Sequence, residues 1–128
     1  MKIHHIGFLT NKISQTLSDF KSLNYKKKGP KIDDKLLMVN IQFIKNSKSI
    51  IELVEPYKKN YGLKMILGKK IYAYHFAYKV RNLSNEIKKL KKKNFKLIVN
   101  PVPAKAFNNK KIAFLTMKNG FIIELIES

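Results

Sequence analysis

The chain has 128 residues, 45% of them hydrophobic and 27% charged, a size and balance suited to one soluble domain or to two small halves fused into one. It has no cysteine, which excludes disulfides, thiolate zinc sites and a cysteine nucleophile and leaves nitrogen and oxygen as metal ligands. Twenty-seven basic against eight acidic side chains give a net charge of +19, a field that favours anionic partners.

Arg81 is the only arginine, whereas base-specific readout of nucleic acid leans on arginine forks. Specific nucleic-acid recognition is not expected, and the lysines read first as a solvated surface. No run approaches the roughly 20 apolar residues of a membrane-spanning helix. The opening residues, Met1 to His5, carry no signal-peptide pattern, so the expected location is the cytoplasm.

In chain order, residues 3 to 9 are short, apolar and aromatic-rich, the pattern of a strand. A helix follows, with Ile13, Leu17, Phe20 and Leu23 along one face, Asn11 placed as N-cap and Asn24 where a left-handed C-cap residue is wanted. Residues 25–28, 36–45 and 49–55 read as strands, with Gly29 and Pro30 marking a loop. Residues 57–71 form a connector with a short helix around Tyr61 to Leu67. A second series then begins with a strand over 72–80. Its helix carries Leu83, Ile87 and Leu90 on one face, with Asn82 as N-cap and Asn94 as C-cap residue. Strands over 95–99, 111–117 and 120–126 complete it, with a loop at Pro101 to Pro103.

The two series are copies of one unit. Residues 5–25 lie over residues 75–95 without a gap at an offset of 70, and residues 50–55 recur as 122–127 at an offset of 72. Such self-similarity organises the chain into module one, about 1–56, and module two, about 72–128, joined by the connector. Each module runs strand, helix, strand, strand, strand.

Alternation along the strands assigns faces. His5 shares a face with Gly7, and His75 with Ala77. The bulky residues of both strands point the other way, beneath the helices, so the histidines are expected on an open face beside small neighbours. Glu52 and Glu124 stand at repeat-equivalent places, each flanked by apolar residues, where a carboxylate costs several kcal/mol unless it is paired or coordinated. A cation is the economical partner, and His5, Glu52, His75 and Glu124 are expected to converge on it from both modules. His4 faces the opposite way and reads as packed. Glu55 and Glu127 also repeat but fall on the other face from Glu52 and Glu124, which points to surface or edge positions.

The segments His4 to Phe8, Ile51 to Pro56, Tyr74 to Val80, and Ala113 through Leu125 resemble, in order and spacing, the vicinal oxygen chelate superfamily. That group includes glyoxalase I, methylmalonyl-CoA epimerase, ring-cleaving dioxygenases and bleomycin- and fosfomycin-resistance proteins. The resemblance covers essentially the whole chain. It implies an α+β fold in which two tandem βαβββ modules form a single domain, a curved mixed sheet around a central cleft. It also implies one divalent metal ion, zinc, nickel, cobalt, manganese or iron, on His5, Glu52, His75 and Glu124.

The implied activity is metal-dependent proton transfer next to a carbonyl, with Glu124 or Glu52 as base and Glu124 preferred by family analogy. The first expectation is a lactoylglutathione lyase-like enzyme, and the close alternative is an acyl-CoA epimerase. A non-catalytic small-molecule binding or resistance protein of the same fold is the rival reading. The expected partner is a small anionic substrate of thioester or hemithioacetal type, and the family implies a homodimer. For an epimerase's second base, the strand over 36–45 offers Asn40 and Gln42 but no carboxylate. Residues 29–35, 56–71 and 100–110 are expected to line the cleft, with Phe107, Asn108 and Asn109 as candidates for substrate contact.

Overall fold

The computed structural model describes residues 1–128. The chain divides into two compact units, His5–Tyr74 and His75–Ser128, the latter taking in the first four residues, Met1–His4. The class is α+β; the second series is the βαβββ that the sequence predicts, and the first carries one further short strand. No helix is long and apolar enough to cross a membrane.

The first unit runs β1 (Ile3–Leu9), α1 (Ile13–Lys21), β2 (Lys26–Lys27), β3 (Ile32–Asp34), β4 (Val39–Asn46), β5 (Ser49–Pro56) and α2 (Tyr61–Gly68). β1 pairs parallel with β5, β5 antiparallel with β4, and β4 antiparallel with both β2 and β3. β3 is a finding of the structure, since residues 29–35 read as a loop; the second module has no counterpart to it. From α1, Ile13 and Leu17 pack on Ile44, Ile51 and Leu53, with Phe8, Phe20 and Tyr25 around them.

The second unit runs β6 (Ala73–Val80), α3 (Leu83–Lys92), β7 (Lys96–Ala104), a 3-10 turn at Lys105–Phe107, β8 (Lys110–Thr116) and β9 (Ile122–Glu127). β6 pairs parallel with β9, β9 antiparallel with β8, and β8 antiparallel with β7. Leu83 and Ile87 of α3 pack on Val80, Ala113, Leu115, Ile123 and Leu125. Contrary to the expected loop, β7 continues through Pro101 and Pro103. It lies at the end of the strand order and is interrupted by register shifts, and an edge strand tolerates residues that lack a backbone donor.

Both main helices end as their sequences predict. Asn24 and Asn94 have φ of 67° and 70°. After each, the next amide closes the turn: Tyr25 N donates to the Phe20 carbonyl and Phe95 N to the Leu90 carbonyl. The Tyr25 and Phe20 rings also meet at 5.2 Å, the apolar contact that accompanies such a C-terminal motif. Leu23 lies beyond the end of α1 and is exposed.

The helix starts differ from one another. Asn82 caps α3 by accepting from Asn85 N at 3.0 Å, as expected. Asn11 does not cap α1: the N-cap position belongs to Lys12, with no side-chain cap bond. Glu55 Oε1 accepts instead from Ile13 N at 2.9 Å, and its repeat partner Glu127 accepts from Leu83 N at 3.4 Å. Both glutamates are half-buried. Rather than simple surface residues they are helix anchors, carboxylates set against the positive end of a helix.

Candidate metal centre

The register of each parallel strand pair places a histidine beside a glutamate. In the first unit Gly7 is the Cα partner of Glu52, so His5, two residues before Gly7 on the same face, lies diagonally across from that carboxylate. In the second unit Ala77 is the partner of Glu124, and His75 stands in the same relation. Facing directions follow from the cores: Ile51, Leu53, Ile123 and Leu125 point toward the helices, so Glu52 and Glu124 point away from them.

Both pairs are enclosed. His5 and His75 are each 1% exposed, Glu52 4% and Glu124 3%. The open face expected for the histidines is not observed. One reason lies within each unit: a phenylalanine of the neighbouring antiparallel strand stands over the pair. Phe43 is the cross-strand partner of Glu52 and Phe114 of Glu124. Their ring centroids lie 5.5 Å from those of His5 and His75, nearly perpendicular in both cases. Reading the sequence for ligand-type residues missed these two, which stand 71 residues apart, between the offset of 70 that relates the histidines and the 72 that relates the glutamates.

Within each pair the ligand atoms are close, His5 Nε2 to Glu52 Oε1 at 3.6 Å and His75 Nε2 to Glu124 Oε1 at 3.3 Å. Two adjacent ligands on a tetrahedral divalent ion, with metal–nitrogen and metal–oxygen distances of about 2.0–2.2 Å, stand roughly 3.4 Å apart. Each pair therefore has the donor types and the spacing to supply two ligands, and burial raises the cost of leaving its carboxylate without a cation. The residues present fit a divalent metal of the zinc, nickel, cobalt, manganese or iron kind.

Other candidates fall elsewhere. Asn40 and Gln42 share the face of β4 that carries Ile44 toward α1, not the face of Phe43. Gln42 is buried there and donates to the Gly29 and Phe43 carbonyls, so neither residue supplies a second acid–base group beside Glu52. His4 packs its ring near Phe107 at 6.0 Å, in line with a packing role. Asn108 and Asn109 are exposed turn residues with φ of 56° and 64°, which accounts for asparagine at both places without a ligand.

The sequence matches the Glyoxalase/Bleomycin resistance protein/Dioxygenase superfamily over residues 4–127. The chain belongs to this superfamily. No curated protein matches it. Among solved structures, a hypothetical protein from Bacillus halodurans is 27% identical with a TM-score of 0.85, covering 99% of this chain and 94% of that one. Methylmalonyl-CoA epimerase from Mycobacterium tuberculosis is 18% identical with a TM-score of 0.82, over 98% of this chain and 86% of the other. A Streptomyces coelicolor methylmalonyl-CoA epimerase variant, solved in complex with 2-nitronate-propionyl-CoA, is 18% identical with a TM-score of 0.84, over 100% and 97%. At such identities the epimerases share the fold with this superfamily member.

Proposed function

We propose that His5, Glu52, His75 and Glu124 together hold one divalent metal ion and that the protein is an enzyme moving a proton at the carbon next to a thioester carbonyl, in the manner of an acyl-CoA epimerase. The observation that carries this reading is the pair of repeat-related, buried histidine–glutamate contacts. A dry binding cleft gives no reason to enclose two carboxylates in this way.

When bound, a divalent ion supplies a Lewis acid for the carbonyl oxygen, where negative charge develops as the proton leaves. His5 and His75 would hold the ion through a ring nitrogen. Glu124 takes the proton at its carboxylate from one face of the carbon, and one proton delivered to the other face completes the inversion. Epimerisation also needs an acid on the opposite face of the carbon, and Glu52, the repeat equivalent of Glu124, takes that role; Asn40 and Gln42 do not serve.

The acyl-CoA reading replaces lactoylglutathione lyase as first choice because the named enzymes of like fold are methylmalonyl-CoA epimerases. The net charge of +19 suits the phosphates of coenzyme A.

Elemental analysis of protein purified without added metal, beside His75→Ala and Glu124→Gln, tests the site. Stoichiometric metal is expected in the wild type and loss in His75→Ala. Deuterium exchange next to the carbonyl of methylmalonyl-CoA in heavy water then tests the chemistry, with exchange expected in the wild type and none in Glu124→Gln. Wild-type protein that takes up no metal even on reconstitution overturns the proposal and leaves a binding protein on the same fold.

A further inference from the structure

The phenylalanines over the two histidines have no part in metal ligation or proton transfer, yet they repeat. At an offset of 71, Gln42 stands over Ala113 and Lys45 over Thr116, while Ile41 stands over Ile112 and phenylalanine occupies both Phe43 and Phe114. Each is the cross-strand partner of a glutamate and stands nearly perpendicular to the histidine that contacts this glutamate, at 81° for His5 and 80° for His75.

The physical consequence lies in the imidazole torsion. Rotation about the bond to a histidine ring is broad and weakly two-fold, so the backbone alone does not fix the ring plane. The lone pair of Nε2 lies in that plane, and a tilt of the ring swings it away from the carboxylate of the same pair. A near-perpendicular aromatic neighbour restricts the tilt through ring-edge and ring-face complementarity.

We infer that Phe43 and Phe114 are positioning residues, which set the ring planes of His5 and His75 so that each Nε2 and its partner carboxylate face one metal position. This rests on the reading that the two pairs hold a metal. The aromatic wall does by packing what a hydrogen-bonded outer shell does in many metal sites.

Calorimetric titration with cobalt(II) separates the two ideas. Phe43→Leu and Phe114→Leu keep an apolar side chain without the ring, and Phe43→Tyr and Phe114→Tyr keep the ring. The expected result is wild-type binding, affinity about three- to tenfold weaker in each leucine variant, and near-wild-type affinity in the tyrosine variants, with urea midpoints confirming that all are folded. In metal-free protein, nuclear magnetic resonance should show the His5 ring protons shifted by Phe43→Leu with those of His75 unmoved, and the reverse for Phe114→Leu. Leucine variants that bind cobalt as the wild type does, or tyrosine variants that weaken as much as the leucine ones, overturn the inference while leaving the metal reading intact. Wild-type protein that does not bind overturns the metal reading itself, and the positioning role falls with it.

Discussion

Removing the carboxylate of Glu55 should destabilise the protein more than removing that of Glu127, although the two are repeat equivalents. The first N–H groups of a helix have no partner within it. At α1, Glu55 Oε1 satisfies Ile13 N at 2.9 Å, and the N-cap residue Lys12 offers no side-chain bond. At α3 the Glu127 contact is longer, 3.4 Å, and Asn82 already caps the helix while Glu86 adds negative charge in its first turn. Loss of a helix cap costs about 0.5–2 kcal/mol, and we place Glu55→Ala at about 1–2 kcal/mol and Glu127→Ala at about 0.5 kcal/mol. With a urea slope of about 2 kcal/mol per molar for a chain of this size, the midpoint should fall by roughly 0.5–1 M in Glu55→Ala and by about 0.25 M in Glu127→Ala. Glu55→Gln keeps an acceptor but loses the charge against the helix dipole, a term of about 0.3–1 kcal/mol, and should recover part of the loss. Equilibrium urea unfolding followed by circular dichroism measures all three. A Glu55→Ala midpoint equal to wild type, or one above that of Glu127→Ala, refutes the assignment of Glu55 as the anchor of α1.

Tyr57 donates its hydroxyl proton to Asp33, and this hydrogen bond, followed by desolvation and the nearby charges of Asp33 and Asp34, pushes the phenol up to about 12 from its ordinary 10.0. Because the folded-state value is raised, the stabilisation from this contact is present below pH 10 and lost as pH rises toward 12. Absorbance titration of tyrosinate should show a late step that Tyr57→Phe removes and Asp33→Asn moves to lower pH; a late step unaltered in both variants would assign it to another tyrosine. Asn24 and Asn94, at φ of 67° and 70°, should tolerate glycine but lose about 1 kcal/mol on change to alanine, a difference that thermal unfolding resolves and that equal melting temperatures for the two substitutions would contradict.

Much of the fold was legible because its signals are local or periodic. The span of β1, the short connector helix and the left-handed Asn24 and Asn94 follow from alternation, helical spacing and the backbone tolerance of asparagine. The repeat carried the reading further. A single histidine in a strand says little, but His5 over His75 and Glu52 over Glu124, in strands otherwise apolar, marked four residues whose chemistry the structure then set into two buried pairs. Phe43 and Phe114 stand 71 residues apart, at neither the histidine nor the glutamate offset, and nothing in a phenylalanine's own chemistry marks it as part of a site.

What the sequence determined by itself was therefore the order of elements, the two-module pattern and the ligand-type residues on one face of each strand. Only the tertiary structure decided which neighbours those residues met. The parallel pairing of β1 with β5 and of β6 with β9 sets Gly7 beside Glu52 and Ala77 beside Glu124, and it also brings Glu55 and Glu127 to the starts of the helices, 42 and 44 residues away along the chain. Whether Pro101 and Pro103 break a strand or sit within one depends on whether a partner strand needs their amides. Cross-strand register is a long-range property: it joins residues far apart in sequence, and no local preference of either strand encodes its partner.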